Sequence, residues 1–120
     1  PARAQALASH FRPWREVQAS GYDELAGAQF DLVINATSAS LSGGVPRLPA
    51  QLFAGGSLAY DMMYGREPPA FLRYAVAQGA ARIADGLGML VEQAAESFFI
   101  WRGVQPATAP VIAALRGEAC

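Results

Sequence analysis

The stretch "FDLVINATS", residues 30–38, decides the fold. Leu32, Val33 and Ile34 form an unbroken apolar run, the pattern of a strand covered on both faces of a parallel sheet. The run then stops in Asn35, Thr37 and Ser38, side chains that favour turns. Apolar strands ending in small polar residues are what an open α/β sheet presents where ligands collect, beyond the carboxyl ends of its strands.

The same grammar recurs downstream. "SLAYDMMY", residues 57–64, reads as a second strand, and "ARIAD", residues 81–85, as a third. A helix over "AFLRYAVAQG", closed by Gly79, separates them. The third strand runs through glycines into a long helix reaching about Arg102, and "PATAPVIAALRG" supplies a last helix over 107–116. Between the first two strands lie a Ser-, Gly- and Pro-rich loop from Ala39 to Pro49 and then "PAQLFAGG", which predicts a short helix stopped by its glycines. Upstream, residues 1–11 predict a helix with Ala2, Ala6, Leu7 and Phe11 as its inner stripe. "EVQAS" predicts a short strand and "YDELAG" a helical turn. Strands alternating with helices at this spacing predict an α/β fold. The order is that of the second half of a Rossmann-like, doubly wound, mostly parallel sheet followed by C-terminal helices.

Composition bounds the function classes. The chain has 120 residues, 52% of them hydrophobic, and a formal net charge of −1. With no basic excess to neutralise phosphates, nucleic acid is not an expected partner. The apolar runs fall short of the roughly 20 residues that span a bilayer, so no membrane association is expected. Cys120 is the single cysteine, which rules out an internal disulfide or a multi-cysteine metal site and predicts a cytoplasmic setting. The chain opens without methionine and reads as helix almost at once, so a piece of a longer polypeptide is expected.

Three strand endings, at 35–38, 61–64 and 85–88, should face one crevice. Gly86 stands where strand becomes helix; the missing side chain permits a backbone bend or the close approach of a ligand. Gly86, Met89, Leu90, Gln93 and Ser97 share one stripe of that helix, which carries Gln93 along the face that begins at the crevice. A glycine hinge followed by a glutamine bonded to a neighbouring loop is the alternative. Tyr64 offers a hydroxyl to a ligand or caps the core. Met62 lies against a cofactor or fills the core, and Asn35, Thr37 and Ser38 donate to a cofactor or satisfy their own turn. Arg3 grips a phosphate or points into solvent. His10, the only histidine, has no triad or metal-ligand grouping around it, and Asp61 and Asp85 are too far apart in sequence to be read as an acid/base pair. No catalytic residue and no metal ligand is assigned.

Taken together, "DLVINATSASLSGGVP", "YDMMYG" and "ADGLGMLVEQAAESFFIWRGV" resemble the corresponding blocks of the shikimate dehydrogenase family, in the same order and spacing from the first residues to about Val111. Members of that family reduce 3-dehydroshikimate to shikimate with NADPH on the route to aromatic amino acids. The resemblance implies NADP as cofactor. It places Arg3 on the adenosine 2′-phosphate, Thr37 and Ser38 along the cofactor groove, Met62 against the cofactor and the Gly86 backbone near the nicotinamide. Tyr64 and Gln93 match the two residues of the cofactor domain that hydrogen-bond shikimate. Residues 1–102 correspond to the later part of the NADP-binding domain, and 103–120 to a C-terminal helix packing toward the substrate domain. The glycine-rich pyrophosphate loop, an Asn-Arg-Thr element, and the lysine and aspartate of proton transfer are expected upstream of Pro1, so these residues alone are expected to be inactive. Two departures stand out: Ser40 where the family commonly has glycine, and Pro69-Ala70 where it commonly has Thr-Pro before the next helix. A relative acting on quinate or preferring NAD remains open. So does a non-catalytic module that dimerises through an unpaired strand edge.

Overall fold

A computed structural model describes residues 2–117. Its frame is a three-stranded parallel sheet of β1 (Phe30–Asn35), β2 (Phe53–Asp61) and β3 (Arg82–Ala84), in the order β1-β2-β3. Four α-helices accompany it: α1 (Ala2–Phe11), α2 (Ala70–Ala77), α3 (Leu87–Arg102) and α4 (Ala109–Arg116). Consecutive strands laid side by side in one direction form one wing of a doubly wound sheet, the α/β, Rossmann-like architecture expected. Cys120 lies outside the described residues.

The core occupies one side of this sheet. Phe71, Leu72 and Ala75 of α2 come down on Ala59 of β2, joined by Leu52, Phe53 and Ala80. Phe53 and Phe71 meet with ring centroids 6.5 Å apart. Burying such side chains stabilises by roughly 1.5–3 kcal/mol each. The Pro69-Ala70 departure does not disturb α2: the Pro69 carbonyl accepts from the Leu72 and Arg73 amides at 2.9 and 3.2 Å, and the helix starts at Ala70.

Four expectations are corrected. "PAQLFAGG" is not a helix: β2 starts at Phe53, and Leu52 and Phe53 are core residues. The Leu52 carbonyl accepts from the Phe30 amide at 2.9 Å, and Phe30 pairs with Phe53, so this segment is held to β1. Three residues of β1, from Phe30 to Leu32, span the same stretch of the sheet as six of β2, from Phe53 to Leu58. The surplus bulges out, and Gly56 at φ +84° supplies the left-handed backbone the bulge requires. Glycines that read as a helix stop are a strand irregularity.

"EVQAS" forms no strand; residues 16–20 are exposed or half-buried, and none of the three strands takes them as a neighbour. A strand exists only with a partner to satisfy its backbone groups. The stripe proposed for α1 is not an inner one: no residue of α1 is buried, and Leu7 is 59% exposed. Its apolar face meets no surface that removes it from water, and its ring contacts are local, His10 and Phe11 with Trp14.

Finally, β1 is not covered on both faces. Leu32 and Ile34 are 51% and 55% exposed, while Val33 is half-buried and Asn35 is buried. Leu32 and Ile34 pair with Leu58 and Tyr60, so these four share the open face. The chain's radius of gyration is 16.9 Å, against about 13.6 Å for a compact domain of this length. No helix among the described residues is long and apolar enough to cross a membrane.

Candidate functional site

The crevice is built where the three strands end. The Met62 amide donates to the Asn35 carbonyl at 3.1 Å, and the Gly86 amide donates to the Met63 carbonyl at 3.1 Å. These two bonds tie the segments following β1, β2 and β3 into one layer. The convergence read from the three strand endings is therefore present.

Side chains brace that layer from below. Asn35 Nδ2 donates to Asp61 Oδ2 at 3.0 Å, and the other oxygen, Asp61 Oδ1, accepts from the Met63 amide at 2.9 Å. Asn35 Oδ1 accepts from the Thr37 amide at 3.1 Å and from the Thr37 hydroxyl at 2.8 Å. Thr37 Oγ1 in turn accepts from the Ala39 amide at 3.3 Å, which starts the short 3-10 turn Ser38–Ser42.

Gly86 proves necessary for a reason of its own. Its φ is −75°, open to any residue, so no unusual bend is involved. A Cβ there would stand 2.0 Å from the Met62 carbonyl oxygen. The close approach is made by the protein's own backbone. Gly88, two residues on, has nothing within 4 Å of an added Cβ. The two glycines of one motif thus differ completely in what they tolerate.

Tyr64 is half-exposed and lines a groove of about 710 Å³ with Arg66, Leu87, Leu90, Leu115 and Arg116. Asp85 Oδ1 accepts from the Leu87 amide at 3.2 Å and from Arg116 Nη2 at 3.0 Å, which ties the end of α4 to the start of α3. On α3 the buried stripe is Leu87, Val91 and Ala95. The Gly86–Ser97 stripe turns outward instead: Gln93 is exposed, and its carbonyl accepts from Ser97 Oγ at 2.9 Å. The glutamine amide is therefore not buried in a packed interface.

Hydrogen bonds link Thr37, through Asn35, to the Met62 amide, and Met63 to Gly86, while Tyr64 follows directly after Met63 and lines the neighbouring groove. Ser38 is exposed, and Met62 is 42% exposed. Arg3 and Gln93 are exposed on α1 and α3, away from the hydrogen bonds that tie the strand ends together. Sequence reasoning weighed Asp61 only as half of an acid/base pair and passed over Arg116. The pairing of Asp61 with Asn35 could have been found, since Asp61 ends β2 at the level where Asn35 ends β1. Arg116 carried no signal, lying 31 residues from Asp85 on another helix. Both carboxylates at the strand ends are engaged in hydrogen bonds, which leaves the crevice suited to holding and orienting ligands.

Comparison with known proteins supplies the chemistry. Residues 86–116 match the family model described as the shikimate 5'-dehydrogenase C-terminal domain. The chain is 60% identical over 118 residues to the shikimate dehydrogenase (NADP(+)) of Nitrosospira multiformis, covering 98% of this chain and 43% of that protein. Among solved structures, an Ael1 enzyme from Pseudomonas putida superposes with a TM-score of 0.86 at 50% identity, over 95% of this chain and 42% of that one. Shikimate 5-dehydrogenase from Thermus thermophilus, solved in complex with NADP(H) and shikimate, gives 0.76 at 33% identity, over 98% and 43%. The chain thus spans less than half the length of these relatives. It is similar to shikimate dehydrogenases along almost all of its own length, and residues 86–116 match that family's C-terminal domain.

Proposed function

We propose that this chain is the cofactor-side portion of an NADP-dependent shikimate dehydrogenase, which interconverts shikimate and 3-dehydroshikimate. The observation that carries the reading is the crevice where three strand ends meet, with Thr37, Met62, Tyr64 and Gly86 around it, in a sequence so close to that family. The residues fit the cofactor: an exposed threonine and serine along one side and a thioether open to a flat ring. NADP, when bound, supplies the hydride acceptor for the alcohol carbon of shikimate, and NADPH the donor for the reverse direction.

The chain's own residues bind and orient. Arg3 pairs with the adenosine 2′-phosphate, a dianion that a guanidinium fork suits. Thr37 and Ser38 line the groove and Met62 packs on the cofactor, while Gly86 lets the β3–α3 junction come close. The Tyr64 hydroxyl and the Gln93 amide hydrogen-bond the substrate; both are exposed and free to be covered by it. Proton transfer at the alcohol oxygen belongs to residues outside this chain. Residues 1–102 form the later part of the cofactor domain, and the C-terminal helix within 103–120 packs toward the substrate domain. The open face bearing Leu32 and Ile34, and the exposed stripe of α1, accord with surfaces that the rest of the polypeptide covers. The single cysteine accords with a cytoplasmic setting.

The test is an absorbance assay at the nicotinamide band on the full-length protein, with shikimate and quinate against NADP and NAD. The expected result is shikimate oxidation with NADP and none by residues 1–120 alone. Turnover of quinate in preference to shikimate would replace the substrate, and a preference for NAD would remove the role of Arg3. Turnover of neither, with a dimer seen in sedimentation, would instead support an oligomerising module.

A further inference from the structure

The buried pair at the ends of β1 and β2 has a polarity that goes beyond filling space. Asp61 is 0% exposed and Asn35 is 4% exposed, two polar side chains buried beneath the strand ends. Burying a carboxylate costs free energy unless its lone pairs are met by donors. Here one oxygen takes Asn35 Nδ2 and the other takes the Met63 amide. Asparagine is the residue that can continue this chain, because its amide donates from one end and accepts at the other. The donor end faces Asp61, and the acceptor end takes both the amide and the hydroxyl of Thr37. The result is a line of hydrogen bonds from the loop after β1, through two side chains, to the backbone after β2. From there the Met63 carbonyl passes it to Gly86.

We propose that Asn35 and Asp61 are a positioning pair, holding the Thr37 loop and the Met62–Tyr64 segment in one fixed relation so that the cofactor meets a preformed groove. The inference rests on the reading of the crevice as a cofactor site for its ligand-binding consequences, but not for its structural ones. Neither side chain touches the ligands itself: both are buried beneath the groove, and they act through Thr37 and the Met63 backbone. A preformed groove binds more tightly because the ordering of its loops is not charged to the binding step. The two loops are also coupled, since the Asn35–Asp61 bond and the backbone bond between Met62 and Asn35 both join them.

The experiment uses the full-length protein with Asn35→Ala, Asp61→Asn and Thr37→Val, the last at an exposed side chain that leaves the core intact. Amide hydrogen exchange is read across the pair, with no ligand present. In Asn35→Ala the Met63 amide, which Asn35 does not touch, is expected to exchange faster by up to roughly tenfold, the worth of one net hydrogen bond. In Asp61→Asn the Thr37 amide should do the same. NADPH affinity, followed by fluorescence, should weaken by a similar factor in Asn35→Ala, with kcat at saturation changed about twofold or less. In the double variant Asn35→Ala/Thr37→Val the Met63 amide should exchange no faster than in Asn35→Ala, because both substitutions cut the same line. Should Asn35→Ala not fold, Thr37→Val alone must still quicken exchange at Met63. Unchanged cross-pair exchange in folded variants overturns the proposal, as does full additivity of the two substitutions. A wild-type protein that does not bind NADPH overturns the cofactor reading instead, and the exchange arm still decides whether the pair positions the loops.

Discussion

The two faces of the sheet both carry apolar residues, and their fates are opposite. On one, Val33 and Ala59 lie against Phe71, Leu72 and Ala75 of α2, and Ala59 and Ala75 are fully excluded from water. On the other, Leu32, Ile34, Leu58 and Tyr60 form an equally apolar surface, of which Leu32 and Ile34 are more than half exposed. Apolarity states that a residue gains from burial; it does not say what will bury it. The covered face therefore reports the stability of this chain, and the open face reports its dependence on whatever adjoins it.

The sharpest way to break that comparison is to truncate one residue on each side. Phe71→Ala should cost about 3–5 kcal/mol in urea denaturation, the range for emptying a packed aromatic site. Ile34→Ala should cost under about 1 kcal/mol in residues 1–120 alone, because little burial is lost there. In the full-length protein the Ile34→Ala cost should rise to about 2–4 kcal/mol. Equal costs for Ile34→Ala in the two settings would mean that nothing covers the open face.

A smaller contrast lies within one motif. Gly86→Ala drives a methyl into the Met62 carbonyl and should cost about 1–3 kcal/mol, the range for overpacking, together with a loss of cofactor affinity. Gly88→Ala meets empty space in the first turn of α3 and should stabilise by up to about 1 kcal/mol through helix propensity. A pair of thermal melts separates them, and destabilisation by both would remove the distinction drawn between the two glycines. Smallest of all is the α4 tether. The Arg116 side chain is 42% exposed, so Arg116→Ala should cost only about 0.5 kcal/mol, and high salt should erase the difference from wild type.

Much of this was legible in the chain itself. The apolar runs ending in Asn35, Asp61 and Asp85 marked three strands and the crevice they share, because strand patterning and strand-end chemistry are local. Helix α2 was likewise marked by its apolar spacing and by Gly79 after it, and α3 by its apolar spacing and the glycines that open it. The start of β2 was not, because Gly55 and Gly56 read locally as a stop, whereas pairing with β1 turned them into a bulge. The "EVQAS" strand and the inner stripe of α1 failed for a related reason: a propensity is realised only when a neighbour is present to complete it.

What the sequence determined by itself is the succession of strands and helices and the end of the sheet where the polar strand ends converge, since both follow from spacing along the backbone. Only the tertiary structure decided which sheet face is covered and that Met62 is what makes Gly86 obligatory. It alone joined Asn35 to Asp61 and Asp85 to Arg116, partners 26 and 31 residues apart. Hydrophobic burial has no direction of its own, and a hydrogen bond between distant residues exists only once packing has brought its two ends within about 3 Å.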